Sequence, residues 1–253
     1  MTPSVAPNQR RDDAPVGVSH RPRSAGVTRV VACAVEVLNL HMRLTKFEHA
    51  ALRLDHHGQT LIIDPGTFTA PLADLDAVVA VVITHEHPDH WTPEHLDRLL
   101  SAAPAVPVYA PSGVAASADG YDITVVAPGD TISAGEFALR FFGGQHAVIH
   151  SSLPTVENVG VLVNDELYYP GDSYAVPDGV QVSTLAAPMG APWLKIGEAM
   201  DFVLEVAPRR AFGTHDVPLS EIGRAMHQQR LQWATEQGGG EYHDLRAGDS
   251  IEL

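Results

Sequence analysis

Apolar and polar positions follow strand-like and helix-like periods from residue 42 onward, and together they predict a chain of mixed strands and helices. Two β-rich runs flank the turn DHHGQ, residues 55–59, which predicts a hairpin. The apolar run AVVAVVIT, residues 77–84, is typical of a buried strand. Thr92 followed by Pro93 indicates the start of a helix, because threonine caps helix N-termini and proline suits the first helical position.

The remainder of the chain repeats the same two kinds of pattern. Short strands are predicted over VPVYA, EFALRFFGG, NVGVLVN, ELYYPG, VSTLAAP, RRAFGTH and the C-terminal DSIEL. Helices are predicted over IGEAMDFVLEV and LSEIGRAMHQQRLQWATEQ, the second ended by consecutive glycines that begin at Gly238. Strands come early and late with helices between them, an order that two sheets with helices on their outer faces would produce.

The first 41 residues differ in composition from the rest. Residues 2–26 are rich in proline, serine and arginine and show no period, which predicts disorder. Residues 27–40 are apolar enough for a strand or a helix, but no pattern assigns them to a core. We therefore predict one domain over residues 42–253, preceded by an N-terminal extension over residues 1–41.

Net charge narrows the range of partners. The chain carries a formal charge of −15, and residues 1–41 hold five arginines against three acids, which leaves −17 on residues 42–253. Such a domain repels nucleic acid and anionic membranes. No apolar run reaches the roughly 18–20 residues of a membrane span, and the single Cys33 excludes an internal disulfide. We expect a cytoplasmic protein with a small-molecule substrate, and we leave open whether it forms a homo-oligomer.

The motif THEHPDH, residues 84–90, directly follows the predicted buried strand. His85 and His87 lie two positions apart, so in an extended segment they point the same way. Asp89 and His90 come after a proline bends the chain, and they can face a second point a few ångströms away. Histidine and aspartate are preferred ligands of zinc and similar ions. A solvated turn is the alternative, but these residue types in this spacing favour a metal site.

Three other predicted strand ends supply further ligand types. His146 follows two glycines at the end of a strand, Asp172 lies in a Pro-Gly turn, and His215 ends RRAFGTH. Each alone is more often a cap or a surface group. Together with the histidine-rich loop they indicate one constellation. His150 competes with His146 as a ligand, and we favour His146 because it directly follows the strand end.

Residues 42–253 resemble the metallo-β-lactamase-fold metallohydrolases. The resemblance rests on THEHPDH, His146, YPGDS, His215, and LIIDPG, which contains Asp64. The stretches GGQHAVIHSSLP, PGDS and APMGAPW look most like the branch that contains the ascorbate-6-phosphate lactonases. The resemblance implies an α/β fold, a four-layer αββα sandwich of two mixed β-sheets with helices on the outer faces. It also implies a site for two metal ions between the sheets.

The resemblance further implies a role for each candidate residue. One metal ion would be bound by His85, His87 and His146, the other by Asp89, His90 and His215, and Asp172 would bridge the two. Asp64 would lie behind these ligands and fix histidine tautomers. The expected cofactors are two divalent ions, with Zn²⁺ preferred and Mn²⁺ or Fe²⁺ left open, because the ligand types do not separate these metals.

These expectations lead to a chemical hypothesis. Two divalent ions ~3.5–4 Å apart can share a water molecule and lower its pKa toward 7, which gives a bridging hydroxide as nucleophile. Asp89 would orient this nucleophile and pass its proton on, which makes Asp89 the catalytic candidate. We therefore predict a dinuclear metal-dependent hydrolase of a small molecule, either a lactone or a phosphate-bearing ester. The alternatives are a phosphodiesterase or nuclease, a non-catalytic metal-binding protein, and an iron-dependent oxidoreductase.

Three residues are weaker candidates. His49, in FEHA on the first predicted strand, either faces the site from outside the ligand set or is a buried, hydrogen-bonded histidine. Trp193 and Lys195, in APMGAPWLK, could line the substrate pocket, where Lys195 would meet an anionic group. The alternative is a tryptophan packed under a loop and a solvated lysine.

Overall fold

The computed structural model of this chain describes residues 41–253, so the predicted extension lies outside the described residues except for His41. The strands are β1 Arg43–Lys46, β2 Leu52–His56, β3 Gln59–Ile63, β4 Val78–Val82, β5 Val108–Ala110, β6 Ile123–Val125, β7 Thr131–Ala134, β8 Phe137–Gln145, β9 Glu157–Val163, β10 Leu167–Tyr169, β11 Thr184–Pro188, β12 Arg210–Thr214, β13 Glu241–His243 and β14 Ser250–Glu252. The helices are α1 Pro93–Ala102, α2 Ser112–Ser117, α3 Ile196–Val206 and α4 Glu221–Gln237.

These strands form two mixed sheets of seven strands each. The first has the order β14-β1-β2-β3-β4-β5-β6, antiparallel as far as β3 and parallel from β3 to β6. The second has the order β13-β12-β11-β10-β9-β8-β7, antiparallel from β7 to β10 and parallel from there to β13. Parallel neighbours need crossover connections, which α1 to α4 largely provide.

Three apolar clusters separate four layers. The central cluster lies between the sheets and joins Leu54 and Leu61 of the first sheet to Phe141 and Phe212 of the second. A second cluster packs α1 and α2 against the outer face of the first sheet. A third packs α3 and α4 against the outer face of the second sheet. The predicted αββα sandwich is therefore confirmed, and the central cluster joins its two sheets.

Helix ends follow the signals in the sequence. Thr92 caps α1 by accepting the His95 N–H at 3.2 Å, and Ser220 caps α4 by accepting the Gly223 N–H at 3.1 Å. The helix α4 ends before Gly238, as predicted. Within residues 41–253, none of these helices combines the length and the hydropathy that a bilayer crossing requires.

The first β-rich run is not one strand. Residues 43–56 form β1 and β2, which pair in antiparallel fashion around a tight turn. The Phe47 N–H donates to the Ala51 carbonyl at 2.9 Å and closes this turn. His49 lies in the turn with a φ of 60°, so its placement on a strand was wrong. The short elements α2, β6, β7 and β13 were also missed, because three to six residues carry too little periodicity to be recognised.

Candidate metal centre

The candidate residues share one position in the fold, since each follows the carboxyl end of a strand. Asp64 follows β3, the THEHPDH motif follows β4, His146 follows β8, Asp172 follows β10 and His215 follows β12. The Val159 N–H donates to the Thr84 carbonyl at 2.9 Å and ties the two sheets together beside the motif. The two sheets thereby bring segments that are distant in sequence to one edge of the sandwich.

Hydrogen bonds hold the loop of the motif in place. Asp64 accepts the Thr84 N–H at 2.8 Å and the Thr84 hydroxyl at 2.6 Å. The His90 N–H donates to the His87 carbonyl at 3.0 Å, and the Thr67 N–H donates to the Pro88 carbonyl at 2.8 Å. Beyond the bend at Pro88, Asp89 turns toward His49 and His215. The His90 ring instead stays beside His85, with centroids 3.9 Å apart, so only Asp89 leaves the side of the first two histidines.

The first group of ligand atoms comprises three histidines. His85, His87 and His146 each place a ring nitrogen within 4.8 Å of the others. Nε2 of His85 lies 3.1 Å from Nδ1 of His87, and the His146 ring centroid lies 4.8 Å from that of His87. His85 and His146 are buried, whereas His87 is half-buried. This is the trio that the resemblance assigned to one metal ion.

The second group contains four residues rather than three. Asp89, His90 and His215 meet within 4.8 Å, and His49 joins them. Oδ2 of Asp89 lies 3.3 Å from Nε2 of His215 and 3.1 Å from Nε2 of His49. His49 therefore touches the proposed ligand set directly.

Asp172 lies between the two groups. Its Oδ1 is 3.3 Å from Nε2 of His90, and its Oδ2 is 3.4 Å from Nε2 of His146 and 3.1 Å from Nε2 of His215. Its backbone N–H donates at 3.0 Å to the amide oxygen of the buried Asn158. Asp172 thus faces His146 of the first group and His90 and His215 of the second, and it also meets His85 and His90 within 4.8 Å in a third, overlapping group.

His215 is positioned by a buried ionic network next to it. The adjacent Asp216 accepts from Nζ of Lys46 at 3.1 Å and from Nε of Arg224 at 3.2 Å. The His215 N–H donates to the His49 carbonyl at 2.8 Å. Both histidines have positive φ angles, 56° for His215 and 60° for His49, so the fold imposes this uncommon backbone conformation on each of them.

The electrostatic balance favours charged carboxylates. Burial opposes ionisation of Asp172, but His90 and His215 outweigh it and hold the pKa of Asp172 well below its usual range. Burial also opposes ionisation of Asp89, and there His215 and His49 lower the pKa. Conversely, burial disfavours the charged form of His215, yet Asp172 raises the pKa of His215 to about 9. A divalent cation that takes the place of the histidine protons would be bound by two ionised carboxylates, those of Asp89 and Asp172.

The histidine nitrogens and the carboxylate oxygen at the centre are suited to coordinate metal ions. Nε2 of His90, His146 and His215 are buried and face the Asp172 carboxylate at 3.1–3.4 Å. Among residues 41–253, neither these nitrogens nor Oδ1 of Asp172 make a contact with the geometry of a hydrogen bond. The Nδ1 atoms of these histidines face acceptors instead, which are the Asp64 carboxylate for His90 at 2.7 Å and the carbonyls of Ala147 and Gly190 for the other two. These contacts select the tautomer whose Nε2 lone pair points into the centre. Bound cations would satisfy atoms that are otherwise costly to bury.

The remaining candidates are placed differently. Trp193 is buried against the centre and donates its indole N–H to Oδ2 of Asp172 at 2.9 Å. Lys195 is largely exposed, with Nζ 3.6 Å from Oε1 of Glu198, and it does not line the neighbouring cavity. His150 is exposed and contacts the Ser152 hydroxyl at 2.8 Å. Of the two competing histidines, His146 is therefore the one that lies in the centre.

A cavity of about 690 Å³ lies beside His146. Its lining includes Tyr174, Trp193, Val148 and Glu198. Except for Trp193, none of these residues was predicted from the sequence, and neither was the buried Asn158. The only local signal was the position of Tyr174 two residues after Asp172.

A four-layer sandwich with a histidine and aspartate centre at one edge defines the metallo-β-lactamase fold. The beta-lactamase superfamily domain matches residues 43–215, which include every predicted ligand. The chain therefore belongs to the beta-lactamase superfamily.

Individual relatives agree with this assignment. Protein Rv0786c of Mycobacterium tuberculosis is 41% identical over 196 residues, which cover 75% of this chain and 91% of that protein. The fold is similar to Igni18, a novel metallo hydrolase from the archaeon Ignicoccus hospitalis, with a TM-score of 0.63, 15% identity, and coverage of 84% of this chain and 98% of that one. It is also similar to CmlA, a diiron beta-hydroxylase from Streptomyces venezuelae, with a TM-score of 0.65 and 16% identity. That match covers 84% of this chain and 54% of CmlA.

Proposed function

We propose that this protein is a dinuclear metal-dependent hydrolase of a small molecule, with a lactone or a phosphate-bearing ester as substrate. The observation that carries the proposal is the position of Asp172 between two groups of histidines. The sequence stretches that resemble the ascorbate-6-phosphate lactonase branch support the choice of substrate. The similarity in fold to Igni18, which is described as a metallo hydrolase, supports the reaction class.

The chain's own residues have distinct roles in this proposal. When two divalent ions are bound, they supply a lowered pKa for a water molecule and polarisation of the attacked group. Asp64 and the carbonyls of Ala147 and Gly190 hold the histidine tautomers. The side chain of Asp89 is 24% exposed, whereas that of Asp172 is 4% exposed. Asp89 is therefore the carboxylate that can reach a water molecule and accept its proton.

Zn²⁺ is the proposed metal, because it is commonly bound by histidine nitrogen and carboxylate oxygen. The same ligand types accept Mn²⁺ and Fe²⁺, and the similarly folded CmlA is described as a diiron enzyme. An iron-dependent oxidoreductase is thus the second candidate. A survey of lactones, thioesters and phosphodiesters with protein reconstituted separately with Zn²⁺, Mn²⁺ and Fe²⁺ would distinguish the candidates by the product formed.

Metal stoichiometry is the first test. We expect about two divalent ions per chain after reconstitution with Zn²⁺ and removal of excess metal, because the proposed ligands form two sets of three that Asp172 joins. Elemental analysis together with protein quantitation measures this ratio. His146→Ala should reduce it, whereas His57→Ala, in the exposed β2–β3 turn, is the matched control and should not. A ratio of one or less at saturation in the unmutated protein would contradict a dinuclear site.

Nucleic acid is not expected to be a partner. The charge of −17 on residues 42–253 opposes approach to phosphate backbones. The metal-loaded protein should therefore leave the mobility of single- and double-stranded oligonucleotides unchanged at physiological salt. A salt-sensitive shift at sub-micromolar protein would instead support the phosphodiesterase or nuclease alternative.

A further inference from the structure

The cavity beside His146 has an aromatic wall. The Trp193 ring centroid lies 5.8 Å from that of His146 and 5.3 Å from that of Tyr174. Phe202 of α3 supports Tyr174 from behind at 5.7 Å. This wall is continuous with the metal centre, because Trp193 also donates to Asp172. A substrate group that fills the cavity would therefore lie next to the centre and pack against aromatic rings.

Among residues 41–253, the cavity offers no basic side chain to an anion, although Gln145, Ser173 and Tyr174 give its lining some hydrogen-bonding groups. No lysine or arginine lines it within the described part of the chain, and its one acidic lining residue is Glu198. The nearby Lys195 is paired with Glu198 at 3.6 Å and points outside the lining. Glu198 also occupies the first turn of α3, so the positive end of that helix already has a carboxylate. Phosphate and carboxylate ligands are usually held by arginine, lysine or a free helix N-terminus.

Exposed apolar side chains lie at two places beside the centre. Val148 of the β8–β9 loop lines the cavity and is 64% exposed. On the other side, the exposed Phe68 packs its ring edge against His49, with centroids 5.0 Å apart. Covering apolar surface of this kind with an apolar ligand is favourable, because it removes that surface from water. An uncharged hydrocarbon group would gain from these contacts, and a charged group would lose hydration there.

We infer that the substrate group beside His146 is uncharged and apolar, so that the substrate is a neutral carboxylic ester or lactone and not a phosphate-bearing ester. The inference rests on the proposed function and selects one of its two substrate classes. In this hydrolysis water adds to the carbonyl carbon, the bond from that carbon to the alcohol oxygen breaks, and the leaving oxygen takes up a proton. The products are a carboxylic acid and an alcohol, joined in one molecule when the substrate is a lactone.

The test compares two esters on the full chain reconstituted with Zn²⁺. One is para-nitrophenyl hexanoate, and the other is the para-nitrophenyl monoester of adipic acid, which has the same chain length but ends in a carboxylate. We expect kcat/KM to be at least about 10-fold higher for the neutral ester, since a charged end would be desolvated without a partner. Calorimetric titration with the corresponding hydroxamates, hexanohydroxamate and its carboxylate-ended analogue, measures the same preference without turnover.

Two variants locate the preference in the cavity. Val148→Asp should lower kcat/KM for the hexanoate ester by about 10-fold with metal content unchanged, because it brings a charge to the cavity wall. Ile222→Asp, on the exposed face of α4 away from the cavity lining, is the matched control and should change neither. Glu198→Lys should raise kcat/KM for the adipate monoester several-fold, because it replaces the acidic lining residue with a cation.

Equal or better use of the adipate monoester, or of para-nitrophenyl phosphate, would overturn the inference and leave the proposed hydrolase function standing. Tighter binding of the carboxylate-ended hydroxamate would overturn it as well. Absence of turnover with every ester tested, with two ions bound, would contradict the proposed function instead. In that case the hydroxamate titrations still decide whether the cavity prefers an uncharged group.

Discussion

Asp89→Asn is expected to lower turnover by about 10²-fold or more while both metal ions stay bound. Asparagine keeps an oxygen that can contact a metal ion, but its amide cannot accept a proton as a carboxylate does. Asp89 is the more exposed of the two central carboxylates, and its Oδ2 already contacts His49 and His215. Turnover of a substrate from the survey and metal content should be measured on the same preparation.

Asp172→Ala is the companion variant and should give the opposite pattern of metal binding. Asp172 contacts His90, His146 and His215, so its loss removes the carboxylate that faces both groups. We expect at least one of the two ions to be lost on dialysis. Asp165→Ala, in the exposed turn before β10, is the control for loss of a surface carboxylate, and it should change neither metal content nor turnover.

The alternative is that Asp89 and Asp172 have a purely structural role and only stabilise turns. Either substitution would then cost about 1 kcal/mol of folding stability and leave the chemistry intact. If Asp89→Asn turns over at the unmutated rate with both ions bound, the proton-accepting role of Asp89 is wrong. If Asp172→Ala keeps both ions as tightly as the unmutated protein, the bridging position is wrong.

Gly66→Ala should strongly destabilise the protein or displace the metal-binding loop. A Cβ atom at Gly66 would lie 1.9 Å from the Asp89 carbonyl oxygen and 2.4 Å from the His90 nitrogen. Both neighbours are backbone atoms of the loop, so no side chain can rotate away to make room. We expect the free energy of unfolding to fall by about 3 kcal/mol or more, at or above the upper end of the usual range for overpacked cores.

Urea unfolding and zinc content should both report this effect. The matched control is Gly197→Ala in the first turn of α3, where an added Cβ meets no heavy atom within 4 Å. Within a helix, alanine is more stable than glycine by up to about 1 kcal/mol, so the control substitution should be neutral or slightly stabilising. An unchanged urea midpoint together with full zinc content in Gly66→Ala would show that the loop can move aside, contrary to the close packing in the structure.

The sequence by itself determined the features that depend on neighbouring residues. The apolar run before Thr84 and the spacing of the motif placed the four candidate ligands of THEHPDH after a strand. The Thr92–Pro93 signal predicted the start of α1, and helical periods predicted α3 and α4 close to their observed bounds. The αββα layers followed from the order of these elements and from the resemblance. Local patterns suffice here because each signal lies within one turn or one strand.

Only the tertiary structure decided which residues meet. His49 reaches Asp89 because the β1–β2 turn, 40 residues earlier in the chain, folds back beside the motif. The sequence already favoured His146 over His150, but the meeting of His146 with the other histidines, the position of Asp172 and the cavity wall of Trp193 and Tyr174 depend on how the two sheets pack. Lys195 appeared suited to an anion, yet the start of α3 directs it to Glu198 and solvent. Such contacts join residues far apart in sequence, and side-chain directions across two packed sheets leave no local periodicity to detect.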